Sequence, residues 1–417
     1  MIEYPNELNI IFDKLDYLGI KAIIIGGYNR DFLLKNSSKD IDIELYGLDS
    51  YDALEKILQE FGSVNSVGKS FGVCKLIFND LDLDFSFPRM DSKIDSGHTG
   101  FIVTTDSHLD FKIATSRRDF TVNAIGYDVI EKKILDPFNG REDLENKILR
   151  AVDLIKFDED PLRVLRAVHF ASRYNFKIDE ALFHKCKSMI QSGVLNELPS
   201  ERIYEEIKKT LLNAPKPSKG LLLLKELDGF LYFNEFSTLT EEEFIHILDA
   251  LDTFSSFTLQ DSKINITLML SIVCYYFSEA QRVSFLKKLS SEKKLFELSS
   301  KFIISAKSIT LTRITNYDIY SLATKVNISE LSLLLMALYK NDYIGEITSF
   351  KQRAKKLNVL TKKLEPLLHG KDLLALGLKP SKEFSTVLYR AYEAQMLEKF
   401  TTHSDATQWL KEELLFS

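Results

Sequence analysis

The sequence predicts an α+β chain: a mixed α/β segment over residues 1 to about 145, then helices only, in segments 146–215, 216–345 and 346–417. Three observations carry this expectation. Short β-branched runs and alternating strands, separated by turn residues, mark the first third. Leucine and phenylalanine then recur at helical spacing. A length of 417 residues exceeds what one hydrophobic core organises.

Composition narrows the class. Hydrophobic residues make up 45% and charged residues 27%, which fits a soluble globular protein. No apolar stretch reaches the roughly 18 residues of a membrane span, and MIEYPNELNI lacks the basic start and apolar core of a signal peptide. Cys74, Cys186 and Cys274 are scattered, without metal-ligand spacing, and read as reduced core residues of a cytoplasmic protein. A net charge of −6 argues against bulk nucleic-acid affinity, so any such site has to be local.

Taken in order, Leu8 to Leu18 is an amphipathic helix leading into a buried strand, Ala22 to Ile25, too short and too β-branched for a helix. Gly26-Gly27 lets the backbone turn sharply and approach a ligand without a Cβ in the way. Arg30-Asp31 and Phe32 to Leu34 begin a helix whose free N–H groups can face an anion. After the turn Ser37-Ser38-Lys39 comes Asp40-Ile41-Asp42-Ile43-Glu44. Side chains at i and i+2 of a strand share a face, so Asp40 and Asp42 repel unless a cation neutralises them. Mg²⁺ suits them: it takes one or two carboxylates and completes its shell with water and phosphates.

Tyr51 to Phe61 is a second helix, and Val73 to Phe78 with Leu81 to Phe87 a strand pair around Asn79-Asp80. The polar stretch Arg89 to Thr115 reads as a long loop, of the kind that is either functional or disordered. In Arg117-Arg118-Asp119, two arginines can clamp a triphosphate while the aspartate holds one guanidinium in place. Asp136 to Asp143 reads as a turn-rich closure of the domain.

The helical part opens with FDEDPLRVLRAVHF, where Asp158 is the expected cap, Glu159-Asp160 the first turn and Pro161 the helix start. Arg163 and Arg166, three apart, share a face. A carboxylate that accepts and a guanidinium that donates can together present a Watson–Crick-like edge to a base. Ser200 is the expected cap of the following helix, and Pro215-Lys216-Pro217 marks a boundary. Residues 351–390 hold ten Lys or Arg against three acids, which suggests phosphate-backbone binding at Lys355, Lys356, Lys362 and Lys363.

GGYNRDFLL with KDIDIEL, RRDFTVNAI with ILDPFNGREDLENKILR, and EDPLR resemble the signatures of class II tRNA nucleotidyltransferases and the related bacterial poly(A) polymerases, of the polymerase-β superfamily. The resemblance is dense over 22–210 and thin beyond. It implies a nucleotidyltransferase head (1–145), a helical neck with a nucleotide-selecting motif (146–215), a helical body (216–345) and a basic tail (346–417). Asn29 stands where the family has valine, which implies a small repacking and no loss of chemistry.

The resemblance also assigns roles. Asp40 and Asp42 are catalytic metal ligands for Mg²⁺, two ions being expected, and Asp84 is the acidic residue beside them. Gly27, Arg30 and Arg118 position the triphosphate. The family's E-D-x-x-R falls on Glu159, Asp160 and Arg163; Asp160, Arg163 and Arg166 select the base. His169 stands where arginine is frequent, so it either contacts the nucleotide weakly or packs. SERIYEE resembles the structural segment joining neck to body. Residues 244–251 and 264–277 look like a degenerate phosphohydrolase domain, but no His-Asp pair accompanies His246, so no metal site is expected there. GKDLLALGLKPSKEF resembles the family tail, with Ser381 where glycine is usual.

The implied function is template-independent addition of CCA to tRNA 3′ ends from CTP and ATP, with release of pyrophosphate. The long Arg89–Thr115 stretch, by analogy with complete CCA-adding enzymes, favours all three nucleotides. A-adding or CC-adding enzymes and poly(A) polymerases share the same motifs. The intact D-x-D disfavours an inactive RNA-binding relative. Neither a membrane nor a protein partner is expected.

Overall fold

A seven-stranded mixed sheet positions the acidic strand on which the site is built. The computed structural model describes residues 2–65, 73–93, 101–257, 261–340, 342–376 and 383–415. In chain order the strands are β1 (Lys21–Ile25), β2 (Ile41–Tyr46), β3 (Ser63–Asn65), β4 (Val73–Phe78), β5 (Leu81–Ser86), β6 (Arg89–Lys93), β7 (Phe101–Thr105), β8 (Gly126–Asp128) and β9 (Lys133–Leu135). The main sheet runs β3-β4-β5-β2-β1-β8-β9, and its one parallel pairing is β2 with β5.

Side-chain alternation explains why β1 is a continuous apolar run. Ala22 and Ile24 join the main core with Ile11, Phe12 and Leu15 of helix α1 (Asn9–Tyr17). Ile23 and Ile25 point the other way, into a smaller cluster with Tyr46 and Ala114. A strand covered on both faces has no polar positions to alternate with. On β2, Ile41, Ile43 and Leu45 enter the main core, and so do Leu83 and Phe85 of β5. The intervening residues Asp42, Glu44 and Asp84 therefore share the opposite face. The β4–β5 turn is made by Asn79 and Asp80 at φ 49° and 63°, the left-handed pair that matches the twist of a two-residue hairpin.

Helices α2 (Gly27–Leu33), α3 (Tyr51–Leu58), α4 (Phe111–Thr115) and α5 (Gly140–Asn146) complete this region. Two expectations change here. The stretch 89–115 is not one long loop: β6 and β7 pair antiparallel outside the main sheet, and α4 follows. The segment 136–143 contains the start of α5, whose Gly140 and Arg141 N–H groups donate to the Asp136 carboxylate.

The helical continuation comprises β10 (Ile148–Leu149), α6 (Leu162–Tyr174), β11 (Lys177–Ile178), α7 (Glu180–Gln191), α8 (Ser200–Asn213) and α9 (Pro217–Glu226). Helix α6 starts later than expected. Asp160, not Asp158, accepts the Leu162 N–H, while Asp158 pairs with Lys185. Ser200 is the first residue of α8 rather than its cap, and its hydroxyl donates to Glu201.

Two units result: Met1–Ala214 with Lys219–Asn234, and Pro215–Ser218 with Glu235–Ser417. The second unit holds α10 (Glu241–Ser255), α11 (Ser262–Val273), α12 (Glu279–Leu289), α13 (Lys293–Ser308), α14 (Asn316–Ala323), α15 (Ile328–Tyr339), α16 (Ile344–Lys356), α17 (Gly370–Ala375), α18 (Glu383–Met396) and α19 (His403–Leu415). Capping boxes at Thr240, Ser278 and Thr315 fix where α10, α12 and α14 begin. His246 bonds the Leu338 carbonyl and the Tyr276 hydroxyl. No single helix among the described residues is long and apolar enough to cross a membrane.

Candidate active site

Asp42 and Asp84 face each other across the parallel β2–β5 pair. Burial pushes the Asp42 carboxyl above the ordinary carboxylate range; the Arg118 guanidinium opposes this, and the neighbouring charges of Asp84 and Asp40 add to it. Asp40 is exposed just ahead of β2. Asp84 Oδ2 takes a 3.0 Å ion pair from Lys75, its cross-strand partner on β4. Asp84 Oδ1 is buried and has no hydrogen-bond partner.

The glycine turn stands against this acidic face. Gly26 has φ +73° and caps α2. A Cβ there would lie 2.9 Å from Arg118 Nη1 and 3.6 Å from Asp42 Oδ2. The close approach belongs to Gly26, so it, rather than Gly27, is the position that demands glycine. A Cβ on Gly27 would meet only Arg30 Nη2 at 3.5 Å.

Arg118 donates to the Asn123 carbonyl at 3.2 Å, and its Nε has no partner. Burial lowers its pKa, and repulsion from Arg117 adds to the effect. Arg117 instead pairs at 3.3 Å with Glu44, which is fully buried and also accepts the Tyr46 hydroxyl. Asp119 holds neither of these arginines: Arg166 of α6 donates to it from Nε at 2.7 Å and approaches with Nη2 at 2.6 Å. Burial would raise the Asp119 pKa, but Arg166 and hydrogen bonds from Asn123 and the Phe120 N–H outweigh it and lower it.

Arg30, expected to position the triphosphate, is an interior side chain in this structure. It is 5% exposed and donates to Asp31 and to Asn123 Oδ1. Its guanidinium lies 5.1 Å from the Phe170 ring and 4.8 Å from the Tyr174 ring. Tyr174 closes the loop by donating to Asp31 at 2.7 Å. Asn123 thus joins Arg30, 93 positions away, to its near neighbours Arg118 and Asp119, a hub that sequence reading missed because the Arg30 contact is long-range. Asn29, fully buried, donates to the carbonyls of Ile24 and Ile125 at 2.7 and 2.9 Å. Its amide ties the end of β1 to residue 125, which a valine could not do.

On the helical side, Asp160 and Arg163 do not pair with each other. Arg202 of α8 donates to both Asp160 oxygens, at 3.2 and 3.0 Å. Arg163 donates to the carbonyls of Lys156 and Arg117, each at 2.6 Å. Both side chains stay half-buried, so the Asp160 lone pairs and the remaining Arg163 N–H groups keep access to solvent. Arg202 carries no signal of this role in the local sequence. His169 is only 3% exposed, stacked on Phe170 and 3.4 Å from Glu206, so it packs in the interior. Lys355, Lys356, Lys362 and Lys363 are exposed in the second unit. Ser381 lies outside the described residues.

The donor set fits Mg²⁺. Asp40, Asp42 and Asp84 supply hard oxygens, one of them buried without a partner, on a face where like charges repel. Among the described residues no three His, Cys, Asp or Glu side chains form a closed cage. An ion here would take two protein carboxylates and draw its other ligands from water and phosphate.

The profile described as "Poly A polymerase head domain" matches residues 22–150, and that described as "Probable RNA and SrmB-binding site of polymerase A" matches 175–237. The Multifunctional CCA protein of Pseudoalteromonas atlantica is 37% identical over 196 residues, 46% of each chain. That of Neisseria gonorrhoeae is 34% identical over 207 residues, 50% of this chain and 48% of its own. The chain thus spans about half the length of these relatives. The CCA-adding enzyme of Francisella tularensis is 30% identical over 313 residues, 74% of this chain and 81% of its own. The Thermotoga maritima CCA-adding enzyme complexed with tRNA superposes with a TM-score of 0.69 at 20% identity, covering 99% of this chain and 97% of that one. A CCA-adding enzyme complex with CTP gives 0.72 at 20% identity, with 99% and 96% covered. These two superpositions establish a shared fold.

Proposed function

The chain belongs to the family of class II CCA-adding enzymes and bacterial poly(A) polymerases, and from that membership we propose that it adds CCA to the 3′ end of tRNA, using CTP and ATP without a nucleic-acid template. The observation that carries this reading is the Asp42–Asp84 pair beside Gly26 and Arg118: an acidic face for a metal directly against a cation for phosphate. That relatives of this length are named CCA-adding enzymes favours CCA over a homopolymer tail.

In the mechanism the geometry supports, the RNA 3′-hydroxyl oxygen attacks the α-phosphorus of the nucleotide and pyrophosphate leaves. Asp40 and Asp42, with Asp84 beside them, would hold Mg²⁺, two ions in the full reading, whose chemistry when bound is to acidify the hydroxyl and neutralise charge on the triphosphate. Asp84 Oδ1, buried and unpartnered, is available to accept the hydroxyl proton. Arg118 donates to the triphosphate, and Gly26 leaves the backbone room to approach it. Arg166 is held on Asp119 and Asp160 on Arg202, so both present fixed orientations to a base. Arg163 braces the segment that carries Arg117 and Arg118 and turns its remaining N–H groups to the base. The exposed lysines of residues 355–363 bind the tRNA backbone.

The test is incubation with tRNA lacking CCA and tRNA ending in CC, with each labelled nucleotide in turn. The reading predicts C, C and A on the first, A alone on the second, and then arrest. A homopolymer of A would identify a poly(A) polymerase, and CC or A alone a partial enzyme.

A further inference from the structure

We propose that the cavity between the end of α13 and helix α14 in the second unit is a subsite for a backbone phosphate of the RNA substrate. This rests on the reading that the chain acts on an RNA. The cavity has a volume of about 470 Å³, and Arg313 and Lys325 stand on its wall with Ser308, Thr310, Ser321 and Asp318. Both cations are exposed, and among the described residues neither has an ion-pair partner. Three other cations of this unit are engaged, Lys288 with Glu235, Lys340 with Asp249, and Arg353 with the Ile314 carbonyl and Asn316, whereas Lys355, Lys356, Lys362 and Lys363 are exposed like Arg313 and Lys325.

Two cations against one acid leave the wall at +1. The acid is already committed, since Asp318 Oδ2 accepts the Thr315 N–H and hydroxyl at 2.8 and 2.7 Å. What remains available is an arginine fork, an ammonium and the hydroxyls of Thr310 and Ser321, a donor set for a tetrahedral anion. Among the described residues no aromatic side chain lines the cavity, so none there stacks a base. The chemistry therefore reads phosphate and not nucleotide identity. The cavity also adjoins the basic stretch. Arg353 of α16 donates at 2.7 Å to the carbonyl of Ile314, a wall residue, which brings the helix carrying Lys355 and Lys356 against the same segment. Cations on both segments joined by this contact suit several phosphates of one strand, which favours a polynucleotide over a free anion.

The test compares wild type with the double variant Arg313→Gln/Lys325→Gln, and with Lys325→Arg as a charge-preserving control. Equilibrium binding of full-length tRNA is measured across salt concentration, alongside KM and kcat for tRNA and for a short RNA ending in CC. The proposal expects binding about tenfold weaker and a log–log salt slope shallower by about two. It also expects unchanged kcat, an unchanged KM for the short RNA, normal behaviour of Lys325→Arg and an unchanged melting temperature. Unchanged tRNA affinity and slope in the double variant overturn it. So does a wild-type protein stabilised by inorganic phosphate or CTP through these two residues while tRNA affinity ignores them, because the site then takes a free anion. Failure of wild type to extend any RNA would refute the transferase reading, and the salt slope would still decide the subsite.

Discussion

Asp42 of β2 and Asp84 of β5 stand opposite one another in parallel register, with their carboxylates on the face turned away from the main core. A fold that holds two carboxylates this way keeps them repelling until a cation arrives. Among the described residues, Lys75 takes one oxygen of Asp84 and Arg118 draws toward Asp42, which balances them only in part.

Asn29 gives the first prediction. Asn29→Val restores the residue usual in the family and removes the amide donor to the Ile24 and Ile125 carbonyls, the second of which keeps the Gly26 N–H at 3.3 Å. Burying such groups unpaired costs about 1–3 kcal/mol. Urea unfolding of the variant should show a loss in that range, with activity per folded molecule within about twofold of wild type. Undiminished stability would mean that the amide contributes nothing net.

Arg163 is the second. Its two hydrogen bonds brace the Arg117 segment, and its free N–H groups are assigned to the base. Arg163→Ala should reduce discrimination among CTP, ATP, UTP and GTP by about ten- to a hundredfold, the worth of a charged hydrogen bond of about 1.5–3 kcal/mol. Comparing kcat/KM for the four nucleotides with the melting temperature decides the matter. A destabilised variant that still discriminates would assign Arg163 to bracing alone.

These two cases show what was legible in the sequence and what was not. Strand β1, the glycine turn and the acidic strand were readable because apolar runs and i, i+2 spacing are local. The β4–β5 hairpin was readable because Asn79-Asp80 is a local turn signal. Partners across the chain were not. Asp119 binds Arg166, 47 positions away, rather than its own neighbours, and Asp160 is held by Arg202. Arg30 looks in sequence like any phosphate-binding arginine, and only the packing of Phe170 and Tyr174 around it reveals an interior side chain. Choosing between Gly26 and Gly27 required the +73° φ angle. Strands β6 and β7 pair outside the main sheet and so lack the apolar alternation by which strands are recognised in sequence.

His169 gives a pH prediction. Burial lowers its pKa, outweighing Glu206, while Arg173 and Lys209 push the same way as burial. Between the lowered folded value and the ordinary value near 6.5, the unfolded chain binds a proton that the folded chain does not, so stability rises with pH. Wild type should therefore lose stability as pH falls through about 6.5, and His169→Gln should lose less. Urea unfolding at pH 7.5 and 5.5 measures the difference. A wild type that gains stability at pH 5.5 relative to the variant would mean that protonated His169 pairs favourably with Glu206.

The exposed lysines give a fourth. Reversing Lys355, Lys356, Lys362 and Lys363 to glutamate should raise KM for tRNA and flatten the salt dependence of binding, with kcat for a short RNA substrate retained. An unchanged KM and slope would make this a solvated face with no RNA contact.

The central claim, that the acidic face carries nucleotidyl transfer, is tested most directly by the rate of labelled CTP incorporation into tRNA lacking CCA, measured for wild type and Asp42→Ala beside tRNA binding. Losing one metal-binding carboxylate removes several kcal/mol of transition-state stabilisation, so incorporation should fall by about a thousandfold or more while tRNA affinity holds. Incorporation by Asp42→Ala within tenfold of wild type would contradict the account.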